Sequence, residues 1–190
     1  MSTNQQISDY IFFYPDVMDK KTCESIINSY DTAPVWQQST FTTAYKNTGT
    51  SQVAMDEYWV GSSDPYYQNI KETFDYCVDD YIHFNPGILE GQVGREFTDF
   101  RINRYGEGGF MKQHIDAIHH SHGQKQGYPH LTALTFLNDD YAGGEFVLCN
   151  DKYIEKIQGS VIVFPSNFMY PHEVKEVTKG KRFSMMTWIL

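Results

Sequence analysis

The sequence predicts a mainly β fold buttressed by N-terminal helices, of the β-sandwich or jelly-roll kind, and three observations carry that prediction. Aromatic residues make up 16% of the chain, with 14 Tyr and 13 Phe, and such side chains favour strands. Helical spacing of apolar residues is confined to the stretch before Asn85. From residue 92 onwards, short apolar runs alternate with turn residues, which is the pattern of many short strands.

In chain order, Ile7 to Phe13 reads as a short apolar strand that ends in a turn at Pro15-Asp16. Asp19 is placed to cap a helix over about residues 20–30, with Cys23, Ile26, Ile27 and Tyr30 as its apolar stripe. Residues 31–65 are polar, with strands expected near 40–46 and 56–60 around a mobile segment starting at Asn47. Pro65 is suited to open a second helix through about Phe84, stopped by Asn85-Pro86-Gly87. Its inner face is Ile70, Phe74, Cys77, Val78 and Tyr81. Strands are then expected near 96–105, 131–137, 145–148, 153–156, 160–164 and 181–189. The breaks between them are Gly106-Glu-Gly-Gly, Asn138-Asp-Asp and Ala142-Gly-Gly. No repeat or linker composition divides the chain. One domain is expected over 1–190, with helical support to about residue 90 and the core from about 92.

The bulk numbers narrow the function. A length of 190 residues buries a sizeable core without covalent staples. The net charge of −9 counts against a general nucleic-acid binder, which shows a basic face. Cys23, Cys77 and Cys149 are odd in number and widely spaced, so neither a disulfide framework nor a cysteine zinc site is expected. The start has no basic or apolar leader and no run is long enough to span a bilayer, which predicts a cytoplasmic protein. A reducing compartment also suits a site that must keep iron ferrous.

The chemistry sits in the second half. His114-Ile-Asp116 places two metal-ligand types at i and i+2, which on a strand share one face about 6.6 Å apart. His172 follows the apolar run Val161-Ile-Val-Phe. Two imidazoles and one carboxylate form a facial triad that leaves coordination positions open, the arrangement of non-haem iron(II) oxygenases. Ten positions on, strand alternation puts Arg182, Ser184, Met186 and Trp188 on one face. An arginine aimed into an apolar interior needs an anionic partner, and its planar fork fits a carboxylate. A dicarboxylate such as 2-oxoglutarate has a chelating end for the metal and a distal carboxylate for Arg182. Ser184 is placed to add one hydrogen bond or to serve as a small packing residue. His119, His120, His122 and His130 lie among Gly123, Gly127 and Pro129, and read as a solvated loop rather than a second cage.

These segments, in this order, resemble the prolyl 4-hydroxylase-like family of iron(II)/2-oxoglutarate-dependent dioxygenases. The resemblance runs through Arg104-Tyr-Gly-Glu-Gly-Gly-Phe to His114-Ile-Asp116, then Leu131-Thr-Ala-Leu-Thr-Phe-Leu-Asn with its following Gly-Gly-Glu. It continues through Gly159-Ser-Val-Ile-Val-Phe-Pro-Ser, His172, Val177-Thr-Lys-Gly-Lys-Arg and Trp188, and loosely covers residues 10–30. It implies a double-stranded β-helix core and three requirements: Fe(2+), 2-oxoglutarate and O2 as co-substrates, with ascorbate as an auxiliary reductant. It also implies that Tyr105 hydrogen-bonds the co-substrate. Two departures stand out: Phe136 replaces a tyrosine of many relatives, and Arg182 stands where several carry lysine. By the same resemblance, the substrate is a peptide or protein residue, with proline first. The same chemistry on a free amino acid, another small molecule or a nucleobase stays open, as does a non-catalytic metal-containing jelly-roll module. Residues 38–64, with Tyr45, Tyr58 and Trp59, suit either a lid over the site or an idle loop. The oligomeric state leaves no trace in the sequence.

Overall fold

The computed structural model describes residues 6–33, 36–39, 52–85, 96–117 and 129–190, and over them the chain is mainly β with two α-helices. A 3-10 turn at Ile7–Tyr10 precedes β1 (Phe12–Tyr14), α1 (Lys20–Tyr30), β2 (Gln37–Gln38) and β3 (Val53–Ala54). β4 (Asp56–Val60), α2 (Tyr67–Phe84), β5 (Phe100–Tyr105), β6 (Phe110–His114) and β7 (Leu131–Phe136) follow. The chain continues with β8 (Ala142–Gly143), β9 (Phe146–Leu148), β10 (Lys152–Ile154) and β11 (Val161–Pro165). It closes with β12 (His172–Val174), β13 (Val177–Lys179) and β14 (Arg182–Ile189).

A seven-stranded sheet runs β1-β11-β7-β14-β5-β4-β2, and a five-stranded sheet runs β10-β9-β12-β6-β3. One face of the large sheet buries Phe100, Ile102, Ala133, Val163 and Met185 against Ile26, Ile70, Phe74 and Cys77 of the two helices. Its other face packs Leu134, Phe136, Ile162 and Met186 against Met111, Phe146, Leu148 and Val174 of the small sheet. Strand alternation divides the work, so Met185 faces the helices while Met186 faces the second sheet. The functional cleft opens in this inter-sheet core.

Local chemistry explains where the elements depart from expectation. Residues 7–10 are not strand. Gln6 N–H donates to Asp9 Oδ2 at 2.8 Å and Asp9 N–H to the Gln6 carbonyl at 3.0 Å, which closes a turn. That leaves only Phe12–Tyr14 to pair with β11. α1 is capped by Asp19, which accepts from Thr22 N–H at 2.9 Å. α2 begins at Tyr67 rather than Pro65, because Asp64 takes the Tyr66 N–H on Oδ1 and the Tyr67 N–H on its carbonyl. The expected break at Ala142-Gly-Gly contains the two-residue β8, paired with β13. Its residues Gly143 and Gly144 still turn the chain with φ of 69° and 63°. The expected strand at 40–46, the segment from Asn47, and His119, His120 and His122 lie outside the described residues. Cys23, Cys77 and Cys149 are free. No helix of the described residues is long and apolar enough to cross a membrane.

Candidate metal centre and its cleft

β5 and β6 belong to different sheets, and the turn between them carries the chain from one to the other. Gly108 takes φ of 78° there, a left-handed conformation open to glycine at no steric cost. β6 then pairs antiparallel with β12 so that His114 stands directly opposite His172. This pairing brings together two histidines distant in sequence, with ring centroids 4.2 Å apart. Asp116 is not on the strand, which ends at His114. It sits in the bend that follows, pinned by the Ala117 N–H donating to the Ser166 carbonyl at 2.9 Å.

The result is a compact donor set. His114 Nε2 lies 3.6 Å from Asp116 Oδ1, and His172 Nε2 lies 3.5 Å from Asp116 Oδ2. Ligand atoms of all three residues lie within 4.8 Å of one another. Adjacent ligands around an ion at about 2.1 Å stand about 3 Å apart, so these separations need only a small contraction. Each imidazole is oriented from behind: His114 Nδ1 faces the Lys112 carbonyl at 2.9 Å and His172 Nδ1 the Tyr170 carbonyl at 3.1 Å. That contact places the proton on Nδ1 and leaves Nε2 as the ligand atom.

Asp116 is buried, and Thr132 Oγ1 donates to its Oδ2 at 2.7 Å, with Ser166 Oγ 2.8 Å from the same hydroxyl. Supporting contacts of this kind typically change metal affinity by about 10–100-fold. Thr132→Val, which keeps the shape and removes the donor, should weaken iron(II) binding by a factor in that range. A competition titration with a metal-sensing dye checks it; an unchanged affinity would remove Thr132 from the support of the site.

The electrostatics of the three residues are tightly coupled. Burial, then the neighbouring His172, depresses His114 to about 4. Burial alone would lower His172 too, but the Asp116 carboxylate overrides it and raises His172 above the ordinary 6.5. Burial works to raise Asp116, yet the two imidazoles and Thr132 outweigh it and hold it far below the usual carboxylate range. A metal therefore competes with a proton more at His172, whose value is raised, than at His114, whose value is depressed. Iron(II) affinity should fall as pH drops through the raised His172 value, starting above 6.5 rather than below it. An affinity flat between about pH 8 and pH 5 would contradict histidine ligation.

The triad lines a narrow cleft whose walls include Arg101, Asn103, Tyr105, Leu134, Phe146 and Met186. Arg182 is completely buried behind this wall, its guanidinium carbon 4.9 Å from the Tyr105 ring centroid and 5.6 Å from that of Phe136. Its Nη1 donates to Ser184 Oγ at 2.8 Å, while Nε and Nη2 are buried with no hydrogen-bond partner among the described residues. The Tyr141 hydroxyl is buried beside Arg182, whose charge and hydrogen bonding act on it against the upward push of burial. The Tyr105 hydroxyl reaches only the Met111 sulfur, at 3.9 Å. A buried guanidinium with two of its three nitrogens unused among the described residues, beside the Tyr105 and Tyr141 hydroxyls, is a donor set suited to a carboxylate.

Sequence reasoning named His114, Asp116, His172, Arg182, Ser184 and Tyr105, and the structure gathers all six around the inter-sheet core. It did not name Thr132, Tyr141, Arg101, Asn103 or Glu57. Arg101 and Asn103 were legible by alternation, since both share the parity of Tyr105 on β5.

Comparison with known proteins agrees with this picture. Residues 100–190 match the model of the 2OG-Fe(II) oxygenase superfamily. A PKHD-type hydroxylase of Caulobacter vibrioides is 34% identical over 113 residues, covering 55% of this chain and 48% of that protein. Human prolyl 3-hydroxylase 2 is 40% identical over 63 residues, 30% of this chain and 9% of its own length. The chain thus spans about half, or less, of these relatives. Among solved structures, a viral collagen prolyl hydroxylase from Paramecium Bursaria Chlorella virus-1, in a 2OG complex, superposes with a TM-score of 0.71 at 14% identity. That match covers 97% of this chain and 98% of the viral one. A prolyl hydroxylase from Trichoplax adhaerens, in complex with a hypoxia inducible factor peptide fragment, gives 0.71 at 20% identity over 96% and 84%. At these identities the likeness is one of fold.

Proposed function

We propose, from the match of residues 100–190 to the 2OG-Fe(II) oxygenase superfamily, that this chain is an oxygenase of that kind and hydroxylates a residue of a peptide or protein, with proline the first to test. The observation that carries this reading is the convergence of His114, Asp116 and His172 on one point of a cleft beside buried, under-satisfied arginines. A purely structural metal site needs neither the open coordination positions nor the anion-seeking guanidinium. The two facing sheets are read as the double-stranded β-helix of that superfamily.

In this reading, His114 and His172 hold iron(II) through Nε2 and Asp116 through its carboxylate. Iron(II), when bound, supplies the chemistry that couples oxidation of 2-oxoglutarate by dioxygen to hydroxylation. Arg182 Nε and Nη2 take the distal carboxylate of 2-oxoglutarate, with Ser184 fixing the guanidinium from its other edge. The Tyr105 ring, which lines the cleft and packs against the Arg182 guanidinium at 4.9 Å, lies between the metal end and that anion site. Leu134, Phe146, Phe164 and Val174 keep the walls apolar and the site poor in water. The choice of a peptide substrate follows by analogy from the prolyl hydroxylases above.

The test is succinate release from 2-oxoglutarate with iron(II) and ascorbate, screened against proline-containing peptides by mass spectrometry. The expected result is succinate formation matched by a one-oxygen gain on the peptide. Succinate without any hydroxylated peptide, and with a hydroxylated free amino acid instead, would move the substrate to the small-molecule class.

A further inference from the structure

The cleft carries a second buried guanidinium, which the binding of iron and 2-oxoglutarate leaves unused. Arg101 lies on its wall. β14 pairs with β5 so that Arg182 stands opposite Tyr105 and Met186 opposite Arg101. The two arginines are therefore four residues apart in register, about 13 Å along the sheet. On the neighbouring strand, Glu57 is opposite Asn103 and Trp59 opposite Arg101.

The Arg101 guanidinium carbon lies 5.6 Å from the Trp59 ring centroid and 5.3 Å from that of Trp188. Its ion pair with Glu57 spans 3.7 Å from Nη1 to Oε2, too long for a hydrogen bond. Arg101 is 5%, Asn103 3% and Glu57 9% exposed. Yet Arg101 Nε, Glu57 Oε2 and Asn103 Oδ1 make no hydrogen bond among the described residues. A buried ion pair this loose, with unused polar atoms on both partners, is costly unless a ligand completes it.

We infer that Arg101 and Glu57 form the recognition site for the substrate itself, and that they take an amino-acid main-chain unit. Its carbonyl or carboxylate oxygen accepts from Arg101, and its N–H donates to Glu57. The pair is neutral in sum, so it favours a ligand that is neutral overall but dipolar, such as an amide or a zwitterion. The flanking Trp59 and Trp188 rings hold the Arg101 guanidinium in place. Arg101 and Asn103 line the same cleft as His114, Asp116 and His172, so a unit held there is presented to the metal end. This inference rests on the oxygenase reading and adds a division of labour, with Arg182 for the co-substrate and Arg101 for the substrate.

The experiment uses the full chain loaded with manganese(II) and saturated with 2-oxoglutarate, titrated with N-acetyl-L-prolinamide and, separately, with free L-proline. Wild type should bind at least one probe. Arg101→Gln should weaken it tenfold or more and Glu57→Gln severalfold, with 2-oxoglutarate affinity within twofold of wild type in both. Arg101→Lys, which keeps a charge in the buried slot but loses Nε, should fall between wild type and Arg101→Gln. It also guards against a variant that misfolds. Tighter binding of the prolinamide identifies a peptide backbone as the source of the dipole, and tighter binding of free proline a zwitterionic amino acid. Three results overturn the inference: no probe binding to a protein that does bind 2-oxoglutarate, probe binding indifferent to all three variants, or loss of 2-oxoglutarate binding in Arg101→Gln. A wild type that takes up no 2-oxoglutarate fails at an earlier step, and there the oxygenase reading falls first.

Discussion

Asp116→Ala should leave the protein unable to retain iron(II) and should reduce turnover below detection, and His114→Ala and His172→Ala should do the same. Each change removes one of three ligands that lie within 4.8 Å of one another. Asp116 has the widest reach of the three. Its carboxylate lies 3.6 and 3.5 Å from the two Nε2 atoms and is the largest influence holding His172 above its ordinary pKa against the effect of burial. Without it the site keeps two imidazoles and loses the only negative charge that offsets the cation, so affinity should suffer more than from the loss of one neutral ligand. Metal content after desalting, measured beside turnover, checks the claim. Full activity in any one of the three variants would remove that residue from the metal shell.

Arg182→Ala should weaken 2-oxoglutarate binding severely while leaving iron binding nearly intact. Removing one partner of a buried charge-assisted pair typically costs about 3–5 kcal/mol, which is on the order of a hundredfold to several-thousand-fold in affinity. Arg182 is fully buried, and its Nε and Nη2 stand in hydrogen-bonding geometry with none of the described residues. Arg182→Lys should lie between, because the charge survives and the planar fork does not. Lys181 is the internal control. It points away from the cleft and pairs with Asp31 at 2.8 Å on an exposed surface, where such a pair contributes about 0–1 kcal/mol. Lys181→Ala should therefore leave 2-oxoglutarate binding unchanged. Calorimetric titration into manganese(II)-loaded protein gives all three numbers. A damaging Lys181→Ala with a mild Arg182→Ala would assign the wrong arginine face.

The parts of this site that were legible in the sequence are those encoded by short-range periodicity. β14 is long and buried throughout, so its alternation set Arg182, Ser184, Met186 and Trp188 on one face without reference to any other strand. The stripes Cys23, Ile26, Tyr30 and Ile70, Phe74, Cys77 announced α1 and α2 in the same way. What stayed hidden depends on pairing between distant segments. The His114–His172 contact follows from the β6–β12 register, and the approach of Glu57 to Arg101 follows from the β4–β5 register. Neither register is written in local sequence. Strands of two or three residues, such as β3, β8 and β13, carry too few positions for a period to show. Asp116 illustrates a third limit. Its spacing from His114 suggested a common strand face, yet a bend locked by Ser166 and Thr132 delivers it to the same point.

The most direct test of the account is anaerobic titration of 2-oxoglutarate into the iron(II)-loaded protein, run in parallel on the metal-free protein and on Asp116→Ala. The expected result is saturable binding of one 2-oxoglutarate per chain with metal present, and a large loss of affinity in the other two samples. Equal binding with and without iron, or none in any sample, would contradict a triad and a guanidinium acting together on one co-substrate.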